Sequence, residues 1–209
     1  RIVDTLFVAY VNDSNSSVCD FPLKSLVGAL QWIATIARPD IQHAVSKAQS
    51  ITTVTKAAVT AAKRVLQYLR GTLDMGLTYS PDIEAAFKQE YQEVLQLTKP
   101  QEELADTVVF SDSDFAGCSV SLKSTSGSII YFRGTPLAWS SKKQSIRAYS
   151  TCEAEFVAVS DTIVLTEHQG YLSWLLQQSS IPKNIFVDNM STLMASKQVI
   201  PTKKSKHYA

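Results

Sequence analysis

The alternation of apolar and polar positions divides the chain into two kinds of text. Up to about residue 70, apolar side chains recur at helical spacing; beyond residue 107 they come in short runs of strand length. Pro22 to Ala37 carries Leu26, Leu30, Ile33 and Ile36 at near-helical intervals, which predicts a helix with that face inward. Arg38-Pro39-Asp40 breaks it and starts a shorter helix through Ser50. A third helix is expected from about Thr55 to Arg70, with Val59, Ala62, Val65, Leu66 and Leu69 on one face and Gly71 as its stop. Leu6 to Tyr10 reads as a possible strand before the polar run Asn12 to Ser17. Downstream, the pattern predicts strands over 107–112, 127–133 and 136–142, helices over 151–166 and 167–179, a strand over 184–188 and a helix over 190–198. Gly134-Thr135-Pro136 marks a tight hairpin between the second and third strands.

Three antiparallel strands, a helical crossover and a strand parallel to the first make a mixed α/β sheet with helices on its faces. The crossover is expected to be right-handed. In that arrangement the acids stand out. Thr107 to Asp112 and Asn184 to Asp188 are apolar runs that each end in a carboxylate, and Ser150 to Phe156 opens a helix with Glu153 and Glu155. Acids at strand ends and in a first helical turn can converge on one point and hold Mg²⁺, which takes hard oxygen ligands. The same residues also fit plain capping: Asp188-Asn189 before a helix, and Ser150 with Glu153 as an S-x-x-E box. Spacing alone leaves both open.

Composition narrows the field. The chain has 209 residues, 45% of them hydrophobic, and a net charge of +1, so a packed core is expected and a uniformly basic nucleic-acid binder is not. The average hides blocks. Ser119 to Cys152 has no acid but carries Lys123, Arg133, Lys142, Lys143 and Arg147, and the stretch after Asp188 is also free of acid. Residues 81–106 are the reverse, with Asp82, Glu84, Glu90, Glu93, Glu102, Glu103 and Asp106 against Lys88 and Lys99, and read as an acidic, solvated helix plus linker. Cys19, Cys118 and Cys152 are widely spaced, which excludes a disulfide framework or zinc finger and suits a reducing compartment. No stretch reads as membrane-spanning or as a signal peptide, and no membrane partner is expected. The chain begins at Arg1, which suggests a fragment or processed piece.

Several strings occur in a telling order: Asp112-Ser113-Asp114-Phe115-Ala116-Gly117, Lys123-Ser124-Thr125-Ser126-Gly127, Trp139 to Gln144, Ser150 to Phe156, Asp188-Asn189 and Lys206-His207. The series resembles the ribonuclease H domain at the end of the copia-type retrotransposon polyprotein. Upstream, Ser25 to Gln31, Arg38-Pro39-Asp40-Ile41 and Ala62 to Thr72 resemble the segment that joins this family's reverse transcriptase to its ribonuclease H. The resemblance implies a helical connector module over 1–80, an acidic linker over 81–106 and a ribonuclease-H-like domain over 107–209.

It also implies roles. Asp112, Glu155 and Asp188 would be the catalytic, metal-holding carboxylates of a two-metal site for Mg²⁺, with Mn²⁺ as substitute. Glu153 would be the cap, and Asp114 a neighbour or turn residue. Lys123, Lys142, Lys143, Asn189 and Lys206 would contact nucleic acid, and His207 would be accessory. The implied substrate is the RNA strand of an RNA–DNA hybrid, the implied partner a reverse transcriptase polymerase domain, and the implied setting an intracellular retroelement particle or the nucleus. Ser113, Ser191 and Asn189 are candidates for sensing 2′-hydroxyls. One departure is plain: relatives carry a fourth carboxylate near the end of the domain, and no acid follows Asp188 here. The competing expectation is therefore a retroelement-derived scaffold whose metal chemistry has weakened. A third, an integrase or resolvase nuclease, leaves the copia-type strings unexplained.

Overall fold

A computed structural model describes residues 17–118, 121–177, 183–189 and 192. The expected strand at Leu6 to Tyr10 lies outside them, as do Ser191, Lys206, His207 and most of the expected 190–198 helix. The chain divides into two compact units, Arg1–Leu77 and Thr78–Ala209.

In the first unit, helix α1 (Leu23–Ile36) is followed by a 3₁₀ turn (Pro39–Ile41), α2 (Gln42–Gln49) and α3 (Lys56–Gly71). The core is built from small residues: Ala34, Ala44, Val45, Ala48, Ala58, Ala61, Ala62 and Val65 are buried together with Leu23, Val27, Leu30 and Ile41. This corrects the expected face of α1. The inward stripe is Leu23, Val27, Leu30 and Ala34, while Ile33 and Ile36 are exposed. Ala34 shares one core with Ala44 and Ala48 of α2 and Ala58, Ala61 and Ala62 of α3, and small side chains let helices approach closely. Thr55 starts α3, its Oγ1 accepting the Ala58 N–H at 3.2 Å. Gly71 is the last helical residue instead of a left-handed cap; the helix closes on Thr72, whose N–H bonds the Leu69 carbonyl.

Buried Arg38 ties this unit together. It donates to both Asp40 oxygens, to the Thr72 carbonyl (3.0 Å) and to Thr72 Oγ1 (2.6 Å), and lies over the Tyr68 ring. Burial would raise the Asp40 pKa, but hydrogen bonds from Arg38 and Tyr68 outweigh it and hold the carboxyl below its usual value. That contribution is present above the ordinary aspartate pKa and is lost as pH falls through the lowered folded value. Arg38→Met strands Asp40 and the end of α3, and should destabilise the protein by about 2–3 kcal/mol in chemical denaturation.

The second unit begins with α4 (Pro81–Thr98). Ser80 Oγ accepts the Ile83 N–H, Pro81 occupies the first turn, and Asp82 and Glu84 sit at the positive end of the helix dipole. Then come β1 (Thr107–Asp114), β2 (Thr125–Phe132), β3 (Thr135–Lys143), α5 (Thr151–Gln177) and β4 (Lys183–Val187). The sheet order is β3-β2-β1-β4, with antiparallel β1/β2 and β2/β3 pairs and β4 parallel to β1. This is the mixed α/β architecture of a ribonuclease-H-like sheet. Where two helices were expected over 151–179, one continuous helix runs from Thr151 to Gln177. It contains no proline, and a lone Gly170 costs only about 1 kcal/mol, too little to break it.

Helices cover both faces of the sheet. Phe110 contacts Tyr91 of α4, whereas the next residue, Ser111, faces Thr162 of α5; successive strand residues point to opposite faces. Phe87 and Tyr91 of α4 stack into an aromatic cluster with Phe110, Tyr131 and Phe186 at centroid distances of 4.5 to 6.0 Å. The start of the acidic stretch 81–106 is thus an amphipathic helix of this unit, with its acids turned away from an aromatic face. The β2–β3 turn places both Arg133 and Gly134 at positive φ, the conformation a two-residue hairpin demands. A Cβ on Gly134 would stand 2.9 Å from Phe87 Cβ and 3.0 Å from the Ile83 carbonyl. Gly134→Ala should therefore lower stability by about 1–3 kcal/mol in thermal unfolding, through backbone strain and loosened α4 packing.

Candidate metal centre

The last β1/β4 pair is Ser111 with Val187, so Asp112, still within β1, and Asp188, just past the end of β4, come next on adjacent strands at the same level. Neighbouring strands lie about 5 Å apart. Glu155 comes from the first turns of α5. Ser150 starts that helix: its Oγ accepts the Glu153 N–H at 3.1 Å, and the Glu153 carboxylate accepts the Tyr149 N–H at 2.7 Å. Glu153 is the capping acid. Two residues on, Glu155 projects toward β1 between buried Ala154 and Ala158, whose small side chains let α5 lie close to the sheet.

The three carboxylates meet. Asp112, Glu155 and Asp188 each offer an oxygen within 4.8 Å of the others, with Asp112 and Asp188 exposed and Glu155 buried. Glu155 Oε1 accepts from Ser113 Oγ (2.8 Å) and from the Ser113 N–H (3.2 Å), which also reaches Asp112 Oδ1 (2.8 Å). Glu155 Oε2 is buried with no hydrogen-bond partner among the described residues. Burial pushes the Glu155 pKa up, with the charges of Asp112 and Asp188 adding to the rise and the Ser113 bonds opposing it. A buried carboxylate oxygen without a donor, beside two like charges, leaves a local deficit of positive charge. All the donor atoms are hard oxygens, so the residues fit a divalent cation of the Mg²⁺ type.

Other expected residues fall differently. Asp114 does not join the cluster: its carboxylate packs against Gly117, where a Cβ would collide with it, in the turn that follows β1. Asn189 Oδ1 accepts the Thr192 N–H at 3.0 Å, the bond of a helix cap. The Ser113 hydroxyl, a candidate for 2′-hydroxyl sensing, is engaged by Glu155. Lys123 Nζ donates to the Ser145 carbonyl, and Lys143 Nζ approaches Cys118 Sγ at 3.1 Å. Lys142 is exposed. In register, Lys142 lies opposite Ser126 and Lys143 opposite Thr125, which is itself opposite Asp114. Both lysines therefore stand at the carboxylate end of the sheet, two strands or about 10 Å from β1.

Two polar residues near the cluster make bonds that the sequence did not predict for them. One is Ser113. The other is Gln144, only 3% exposed, whose Nε2 donates to the Ala154 carbonyl (2.8 Å) and to Ser126 Oγ (3.1 Å).

The sheet order and the convergence of strand-end acids with a helix-borne glutamate define a ribonuclease-H-like α/β unit. No family model and no solved structure matches the chain. Sequence relatives do. It is 32% identical over 89% of its length to the retrovirus-related Pol polyprotein from transposon RE2 of Arabidopsis thaliana, and 30% identical, again over 89%, to that from transposon RE1. The chain belongs to this family of copia-type retrotransposon polyproteins. It spans 12% and 11% of the lengths of those two relatives. It is also 32% identical, over 67% of its length, to secreted RxLR effector protein 161 of Plasmopara viticola, 85% of which it covers.

Proposed function

We propose that the second unit is a metal-dependent ribonuclease H that cuts the RNA strand of RNA–DNA hybrids during retroelement reverse transcription. The observation that carries this reading is the meeting of Asp112, Glu155 and Asp188 around the unpartnered Glu155 Oε2. Those three side chains would hold Mg²⁺, or Mn²⁺ in its place, and the bound metal would supply an activated water and stabilisation of the departing oxygen. Asp112 and Asp188, being exposed, leave the cluster open to a backbone phosphate. Buried Glu155 gives the site a fixed inner wall. Lys142 and Lys143, at the same sheet end, would offer positive charge to the hybrid's phosphates, and the family resemblance adds Lys123 and Lys206 as further backbone contacts. Asn189 would act through its bond to the Thr192 N–H. In a polyprotein setting the natural partner is the reverse transcriptase polymerase domain, in an intracellular particle or the nucleus.

The test is cleavage of a labelled RNA–DNA hybrid by the full chain with Mg²⁺. Cutting of the RNA strand alone, abolished by EDTA and by Asp188→Asn, is expected. Equal activity from both proteins, or none from either, removes the enzymatic reading. The second reading is a retroelement-derived interaction module, favoured by the match to most of a protein named as a secreted effector. It predicts hybrid binding or none, and no metal-dependent cleavage.

A further inference from the structure

Glu155 is gripped from two sides. On the strand side, Ser113 gives both its hydroxyl and its N–H to Oε1, which fixes the rotation of the carboxylate and leaves Oε2 without a partner. On the helix side, Gln144 sits where β3 turns toward α5. Its N–H donates to the Ser124 carbonyl at 2.9 Å, and its Nε2 adds a bond to the carbonyl of Ala154, the residue before Glu155. The same Nε2 reaches Ser126 Oγ, which donates to Asp161 Oδ2 at 3.0 Å, about two turns further along α5. One amide therefore links β2, the end of β3 and α5. Its own Oε1 is buried with no partner among the described residues. A side chain that merely filled space here would do so without an unmet acceptor, so the amide's donors are the reason for its presence.

We propose that Ser113 and Gln144 are positioning residues for cation binding: Ser113 sets the rotation of the Glu155 carboxylate, and Gln144 sets the depth of the helix that carries it. The inference rests on the metal reading of the cluster. Neither residue touches the cation; both act through Glu155. Hydrogen-bond partners of metal ligands commonly control affinity by 10- to 100-fold.

The experiment is Mn²⁺ titration by calorimetry on the full chain, with hybrid-cleavage kinetics alongside. Ser113→Ala and Gln144→Met should each weaken Mn²⁺ binding by about 10- to 100-fold and lower kcat, with KM for the hybrid nearly unchanged. Ser113→Thr keeps the hydroxyl and should restore binding to within about threefold of wild type. Gln144→Asn retracts the amide beyond reach of Ala154 while staying polar, and should lose affinity as the Met variant does, so the claim stands testable if Met unfolds the protein. Wild-type affinity in Ser113→Ala, Gln144→Met and Gln144→Asn, even with lowered melting temperatures, overturns the positioning role alone. A wild-type protein that binds no Mn²⁺ overturns the metal reading itself, and this inference with it.

Discussion

Asp188→Asn should cut the rate of hybrid cleavage by at least about a hundredfold, with the protein folded and hybrid affinity little changed. The estimate follows from what a bound metal contributes, several kcal/mol of charge stabilisation, at about 1.4 kcal/mol per factor of ten. Asparagine matches aspartate in shape but brings no negative charge to the cluster. Asp188 is exposed at the end of β4, so its replacement disturbs no packing. Asp112→Asn should behave alike, for the same reason. The double variant should lose little more than either single one, because residues that hold one ion act as a unit. Single-turnover cleavage together with circular dichroism checks this. A hundredfold loss with an altered spectrum would mean misfolding; a loss below about fivefold would mean the carboxylate does not hold a catalytic ion.

The second large effect runs the other way, on stability. Glu155 has a pKa raised chiefly by burial and then by the charges of Asp112 and Asp188. An acid whose folded pKa lies above its unfolded value favours the fold while it is protonated. That stability is fully present below the ordinary glutamate pKa and is lost as pH rises through the raised folded value. At neutral pH without metal, the cluster therefore works against folding. Glu155→Gln removes that repulsion and gives Oε1 a neutral successor that can still accept from Ser113. It should melt roughly 2–4 °C higher than wild type at pH 7–8 in EDTA, with the gap closing toward pH 4. Saturating Mg²⁺ should reverse the order, because it stabilises only the protein that binds it. Thermal melts across pH, with EDTA and with Mg²⁺, test both signs. The same substitution should abolish cleavage, so stability and activity would move in opposite directions.

Much of this site was legible because two of its three acids, Asp112 and Asp188, follow β-rich runs. Val108, Val109 and Phe110 before Asp112, and Ile185, Phe186 and Val187 before Asp188, forecast two strands ending in carboxylates. The S-x-x-E signature at Ser150 and Glu153 separated the capping acid from Glu155. Less visible were features set by tertiary partners. Ser113 and Gln144 are ordinary polar residues until the fold brings Glu155 and Ala154 beside them. Ser113 was expected to sense 2′-hydroxyls, and its bonds to Glu155 show only in the fold. The aromatic face of α4 was hidden because composition averages over a helix's two sides, and the acids outnumber Phe87 and Tyr91. On α1 two apolar stripes compete, and the one with Ala34 wins because α2 and α3 present alanines to it. Lys206 and His207 fall outside the described residues, so their part rests on the family resemblance.

Whether Asp112, Glu155 and Asp188 share a metal ion is answered by anomalous diffraction from crystals of the protein grown with millimolar Mn²⁺. A peak within about 2.0–2.6 Å of oxygens from Asp112, Glu155 and Asp188 together, with Glu155 Oε2 among them, is the predicted result. The absence of a peak there, or a peak held by other side chains while these three stay unliganded, would contradict it.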